Sequence, residues 1–302
     1  MNAIPPPGAH GGDAAAIAAA LGLAVDGVLD LSASLNPVAP DITELLTSHL
    51  DVVRRYPDAR DATAALAAAM NVDAERLLLT NGGSEAIALL AAEVGGQVTE
   101  PEFALHPRGA TGPCWRSNPH NPTGRLAAPD ESADVWDEAF YPLAAGAWTR
   151  GDGVPVVGSL TKLFACPGLR IGYLLADPEL VARCRERQPT WSVNGLACAV
   201  LPQLMDQVDL ARWTADISKL RDELTEVLAG HGLHAQESAA NWVLVDAPGL
   251  REQLAPHGVI VRDCASFGLP GTVRIAVPDA DGLARLDTAL SKDPGLLAVR
   301  SS

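Results

Sequence analysis

The run Leu77-Leu78-Leu79 passes directly into Thr80-Asn81-Gly82-Gly83-Ser84-Glu85, after which alanine and leucine recur at helical spacing to about Val94. Strand, glycine turn and helix in that order constrain the fold more than any other stretch, because such units build sheets covered by helices. Glycines also let a backbone approach a ligand closely, and the N–H groups of Gly83, Ser84 and Glu85 at a helix start suit a phosphate. A capped helix with no ligand fits the same pattern.

Three further stretches carry chemistry. Val154, Val156, Val157 and Leu160 mark a buried strand that delivers Ser159-Leu160-Thr161-Lys162, and Arg170 follows eight residues later in Leu169-Arg170-Ile171-Gly172. A lysine that forms an imine needs a lowered pKa and a fixed partner, while hydroxyls and a guanidinium close by hold a phosphate dianion. That combination reads as a pyridoxal 5'-phosphate (PLP) site, with a solvated lysine at an ordinary strand end as the alternative. In Asn118-Pro119-His120-Asn121-Pro122-Thr123-Gly124 each residue before a proline is pushed toward extended geometry, and an asparagine held there can donate to a phenolate oxygen. In Val135-Trp136-Asp137-Glu138-Ala139-Phe140 a short apolar run ends in an acid and a small residue. Asp137 can hold a pyridine nitrogen protonated, and Ala139 leaves room for a ring face.

In this order and spacing the four segments resemble the fold type I, class I/II aminotransferase family. The resemblance implies an α/β fold: a mostly parallel sheet with helices on both faces, plus a smaller α+β domain. It implies PLP as cofactor, Lys162 as the imine-forming lysine, Asp137 at the pyridine nitrogen and Asn121 at the ring oxygen. Gly83, Ser84, Ser159, Thr161 and Arg170 bind the phosphate on this reading. Tyr56, in Arg55-Tyr56-Pro57-Asp58, matches a tyrosine that reaches the phosphate of the neighbouring subunit, so a homodimer is expected. Arg274, in Val273-Arg274-Ile275-Ala276, matches the arginine that receives the substrate carboxylate, a fork-to-fork pairing that lysine cannot copy.

Within the family, two stretches look like the threonine-phosphate decarboxylase branch, which stands close to histidinol-phosphate aminotransferase. One is His10-Gly11-Gly12-Asp13 with Leu29 to Pro37; the other is Gln188-Pro189-Thr190-Trp191-Ser192-Val193-Asn194. They make His10 and Asn36 candidate substrate contacts, with a frayed terminus and a turn residue as the alternatives. Arg262 matches an arginine used near the substrate phosphate or carboxylate, or else is a solvated strand end.

Two departures stand out. Where the family usually carries a tyrosine stacked on the pyridine ring, Pro101-Glu102-Phe103-Ala104-Leu105-His106 ends in His106, an imidazole that can still stack but loses the phenol's hydrogen bond. Only eleven residues separate His106 from Asn118, where the family inserts several tens, so a strand and a helix are expected to be missing and the sheet to be narrower. The remaining Pro107 to Pro113 is too rich in glycine and proline for a core strand.

The chain's 302 residues, 48% of them apolar, suffice for one large core and a smaller one. A net charge of -15 argues against a nucleic-acid partner. No apolar run spans a membrane, and the alanine-rich stretch from Ala14 to Leu23 lacks a basic leader, so it reads as a helix. Cys114, Cys166, Cys184, Cys198 and Cys264 lack metal spacing and fit free thiols in a reducing cytoplasm. Cys166 lies near the lysine, with buried packing its expected role.

The expected organisation is an N-terminal arm to residue 36, a PLP-binding domain from 37 to 204 and a small domain from 205 to 302, its tail loose from about Asp293. The branch resemblance points to L-threonine O-3-phosphate as substrate and aminopropanol phosphate for cobalamin assembly as product. A histidinol-phosphate or other amino-acid aminotransferase is the alternative within the enzyme class. A noncatalytic PLP-binding module is the alternative outside it, although such a module has no need of Lys162, Asp137 and Arg274 together.

Overall fold

The structure, a computed structural model, describes residues 4–8 and 10–292. The tail expected to be loose lies outside those residues. The described residues form ten strands: β1 (Leu29–Asp30), β2 (Leu77–Thr80), β3 (Trp115–Ser117), β4 (Val135–Asp137), β5 (Val156–Gly158), β6 (Gly172–Leu175), β7 (Trp242–Asp246), β8 (Val259–Ile260), β9 (Arg262–Asp263) and β10 (Thr272–Ala276). The chain divides into two compact units. A central unit holds Ala39–His120 and Leu126–Thr214; a terminal unit holds Met1–Val38, Asn121–Arg125 and Ala215–Ser302.

The central unit is built on a five-stranded sheet of order β2-β6-β5-β4-β3. Strands β3, β4 and β5 run parallel, and β6 runs antiparallel to both its neighbours. Every residue of β2, β4, β5 and β6 is buried, the pattern of strands covered on both faces. Leu78, Val135, Val157 and Leu174 of these strands join Ile87 and Leu90 of the helix Gly83–Val94 and Val181 and Cys184 of the helix Pro178–Arg187 in one core. Asp177 starts the latter helix by accepting the Leu180 N–H on its side chain, with Pro178 at the first helical position.

Residues 107–113, left by the shortening after His106, do not expose the β3 side of this sheet. Gln97 makes a parallel bridge to Cys114 and receives the Trp115 N–H on its carbonyl, while its own N–H donates to Pro113 O. The Gly109 N–H donates to Gly96 O, and Gln97 Nε2 donates to Gly112 O. A glycine-rich turn thus stands where a further strand was expected to be missing.

In the terminal unit, β7, β10 and β9 form an antiparallel sheet and β1 pairs in parallel with β8. The continuous stretch from Val259 to Asp263 divides between these two sheets at Val261. Leu224 and Leu228 of the helix Leu210–Gly230 pack with Val243, Val245, Ile275, Leu286 and Leu290. The N-terminal arm belongs to this unit: Ile17, on the helix Ala14–Leu21, packs on Ala255 and Ile260. The buried guanidinium of Arg251 donates from Nη2 to Pro5 O at 3.0 Å and meets Asp13 at 3.4 Å. No helix among the described residues is long and apolar enough to cross a membrane.

Candidate active site

In the central unit, Lys162 sits in the short helix Leu160–Leu163 just beyond β5, half-buried, with Nζ 5.7 Å from the centroid of the Phe140 ring. Thr161 fixes that turn. Its N–H and Oγ1 both donate to Ile171 O, and the Ile171 N–H donates back to the hydroxyl. Buried and used in both directions, this hydroxyl braces two loops. Ser159, half-buried at the helix start, spends no side-chain hydrogen bond on the helix.

Arg170 adopts a left-handed backbone conformation, φ 50°, and donates from Nη2 to Ser84 Oγ at 3.2 Å. Its guanidinium lies over the glycine turn so closely that a Cβ on Gly82, itself at φ 78°, would stand 2.4 Å from Nη2. Gly83 and Ser84 follow as the first residues of their helix, where backbone N–H groups lack intrahelical acceptors. Glu85 belongs to the same helix start. Its N–H donates to Gly82 O, and its carboxylate accepts from the Asn81 N–H, Gln188 Nε2 and the Ser192 hydroxyl, so it locks the turn from inside.

Asp137, the last residue of β4, is buried and accepts the Ala139 N–H on Oδ1 at 3.0 Å. His106 Nε2 lies 3.0 Å from its Oδ2, and because an ionised carboxylate only accepts, that nitrogen carries the hydrogen. On the other side, Nδ1 is 3.5 Å from Glu102 Oε2. Glu102 is held in turn by the Ser117 N–H and hydroxyl, at 3.0 and 2.6 Å. The imidazole, whose side chain has no exposed surface, is packed edge-on to Phe103 and beside Trp115. Glu102 was missed in the sequence, although its place four residues before His106 was a signal. Ala139 is half-buried beside Asp137.

Tyr56 is 75% exposed and stacks on Trp191 with ring centroids 4.2 Å apart. Burial pushes the Cys166 thiol up to about 11, which suits packing and not reactivity.

In the terminal unit, β10 places Arg274 directly opposite Arg262 of β9, and both are buried. Burial first, and then the Arg262 charge, lowers Arg274 to about 9; burial likewise lowers Arg262. Arg274 Nη1 donates to Asn121 Oδ1 at 2.8 Å and Nη2 to Ser32 O at 3.4 Å. Arg262 Nη2 donates to Ser266 Oγ. His10 is exposed and is lowered by partial burial and by the nearby Arg262 charge. Asn36 is buried and accepts the Val38 N–H on its side chain, the geometry of a turn residue.

PLP fits the central unit. A glycine turn with no room for a Cβ lies under a guanidinium suited to a phosphate, and the same unit holds a half-buried lysine and a buried carboxylate braced by an imidazole. The family profile described as aminotransferase class I and II matches residues 115–290. The chain is 30% identical to the histidinol-phosphate aminotransferase of Halorubrum lacusprofundi, covering 91% of this chain and 92% of the relative. It is also 30% identical to the threonine-phosphate decarboxylase of Salmonella typhimurium, covering 93% and 95%. Its fold is similar to that of the PLP-bound histidinol-phosphate aminotransferase of Sinorhizobium meliloti, at TM-score 0.75 and 18% identity over 95% of each chain. The chain therefore belongs to the class I and II aminotransferase family and is a PLP-dependent enzyme of that kind.

Proposed function

We propose that this enzyme is a threonine-phosphate decarboxylase, acting on L-threonine O-3-phosphate and supplying aminopropanol phosphate for cobalamin assembly. The observation that carries the proposal is the pair Arg262 and Arg274, buried and directly opposite each other across β9 and β10. Two guanidinium forks set side by side on one sheet face suit a ligand that carries two anionic groups. A phosphorylated amino acid brings two anions, a phosphate and a carboxylate, whereas histidinol phosphate has no carboxylate. Histidinol-phosphate aminotransferase remains the second reading, favoured by relatives of that name at equal identity.

When bound, PLP supplies an electron sink for the bond broken at the substrate's α carbon. Lys162 would hold it, and the Lys162 Nζ would be the group that gives or takes the proton at the reacting carbon. Asp137, fixed by His106 and the Ala139 N–H, presents its carboxylate to the pyridine nitrogen. Gly83, Ser84, Ser159 and Arg170 take the phosphate. Asn121 accepts from Arg274 on its oxygen, which leaves its NH₂ group to donate to the ring oxygen. Arg274 receives the substrate carboxylate and Arg262 its phosphate, with His10 and Asn36 near them. Tyr56, exposed on its stack with Trp191, reaches the cofactor phosphate of a second copy in a homodimer. The enzyme works in the cytoplasm.

The test is to mix PLP-loaded protein with L-threonine O-3-phosphate, without keto acid, and follow carbon dioxide release together with the cofactor's visible band. Catalytic release that vanishes in Lys162→Ala supports the decarboxylase. Conversion to the pyridoxamine form without carbon dioxide supports the aminotransferase.

A further inference from the structure

Trp242 opens β7 and is fully buried. It pairs with Ala276 of β10, two residues from Arg274, so the indole and the guanidinium are diagonal neighbours on one face of the sheet. The Arg274 Cζ lies 5.0 Å from the centre of the indole ring. At its other edge, the indole donates from Nε1 to Pro122 O at 2.8 Å. Pro122 is the residue after Asn121, which in turn accepts from Arg274 Nη1 at 2.8 Å. The contacts close a ring: Trp242 to the Asn121–Pro122 turn, the turn to Arg274, and Arg274 back to Trp242.

Arg274 has no ion pair to a carboxylate among the described residues, and its Nε is buried without a hydrogen-bond partner. An aromatic face is the surface that can steady a guanidinium without neutralising it, since the ring quadrupole attracts the cation yet leaves the N–H fork to an incoming anion. A carboxylate at the same place would compete with the substrate.

We infer that Trp242 is a positioning residue with two separable arms: its ring face holds Arg274 for the substrate's anion, and its N–H sets the Asn121 turn for the cofactor. Neither arm touches a reacting atom. This rests on the substrate and cofactor contacts proposed above for Arg274 and Asn121.

Two substitutions divide the arms. Trp242→Phe keeps an aromatic ring under Arg274 but removes the donor to Pro122, whereas Trp242→Leu removes both. PLP affinity is measured by titrating apoprotein with PLP, and KM and kcat with L-threonine O-3-phosphate. Trp242→Phe is expected to weaken PLP affinity about threefold to tenfold with KM changed less than about twofold; Trp242→Leu adds a rise in KM of about tenfold. Equal effects of the two variants on both quantities overturn the inference.

A second measurement separates this idea from the reading of Arg274. Melting temperatures are compared for Trp242→Phe, Trp242→Leu, Arg274→Met and the doubles. The Leu and Met losses should fall short of additivity by about 2 °C, and the Phe and Met losses should add. Full additivity for Leu with Met overturns the platform. Coupling that persists while Trp242→Leu leaves KM unchanged keeps the platform and overturns the substrate role of Arg274.

Discussion

His106 Nε2 donates to Asp137 Oδ2 at 3.0 Å, and neither side chain has appreciable contact with solvent. A charge-assisted bond of this kind contributes about 1.5–3 kcal/mol, and it aims the carboxylate as well as stabilising it. His106→Phe is therefore expected to weaken PLP binding and to lower kcat by about tenfold to a hundredfold. PLP titration of the apoprotein and steady-state rates read the two effects separately.

Ser159 and Thr161 flank Leu160 but should respond differently to substitution. Thr161→Ala removes both hydroxyl bonds to the Ile171 backbone and leaves the buried Ile171 N–H without an acceptor, while Ile171 O keeps the Thr161 N–H, for an expected loss of about 1–3 kcal/mol in unfolding free energy. Thr161→Ser should restore most of it. Ser159→Ala is expected to leave the melting temperature almost unchanged while weakening PLP retention. Denaturant titration and PLP titration of the three variants check this.

Glu138 has no exposed surface, and its Oε2 has no hydrogen-bond partner. Burial pushes its carboxyl from the usual 4.5 up to about 7, against the hydrogen bonds from Thr149 and the Arg150 N–H. The raised value means the folded protein holds the proton more tightly than the unfolded chain. Stability is thus undiminished below about pH 4.5, falls as pH rises toward 7, and stays reduced above that by up to about 3 kcal/mol. Glu138→Gln should raise stability at pH 8 by about 1–2 kcal/mol and change it little at pH 4.5, its buried NH₂ group offsetting part of the gain. Urea titrations at the two pH values test the difference.

Tyr56 bears on assembly. If it reaches a second copy, Tyr56→Ala should raise the PLP dissociation constant several-fold without loss of secondary structure. Sedimentation equilibrium of wild type and variant shows whether a dimer exists to be affected; a wild-type monomer would sink the idea.

Much of the central unit was legible because its elements carry their own signals. The glycine turn after Leu79 and the proline that opens the helix Pro178–Arg187 mark boundaries locally. The site was legible as residue types but not as bonds. Thr161 and Glu85 sit where phosphate contacts were expected, yet their hydrogen bonds go to Ile171 and to Asn81, Gln188 and Ser192. Those partners are distant in sequence or depend on a backbone direction that no spacing rule supplies. His106 shows the same limit. Its neighbours Glu102 and Phe103 are local, but Asp137, thirty-one residues away, decides which way the ring turns. The division of Val259 to Asp263 between two sheets was likewise hidden, because no glycine or proline marks a break at Val261.

The turn from Pro107 to Pro113 has a consequence for solubility. A sheet that loses an outer strand ordinarily shows a row of unpaired amides and carbonyls to which another chain can add itself. Here the Gln97 and Gly109 amides and the Gly96, Gly112 and Pro113 carbonyls are already engaged with one another. A strand arriving from outside finds these donors and acceptors taken, so the turn offers it no free pairing groups at these positions.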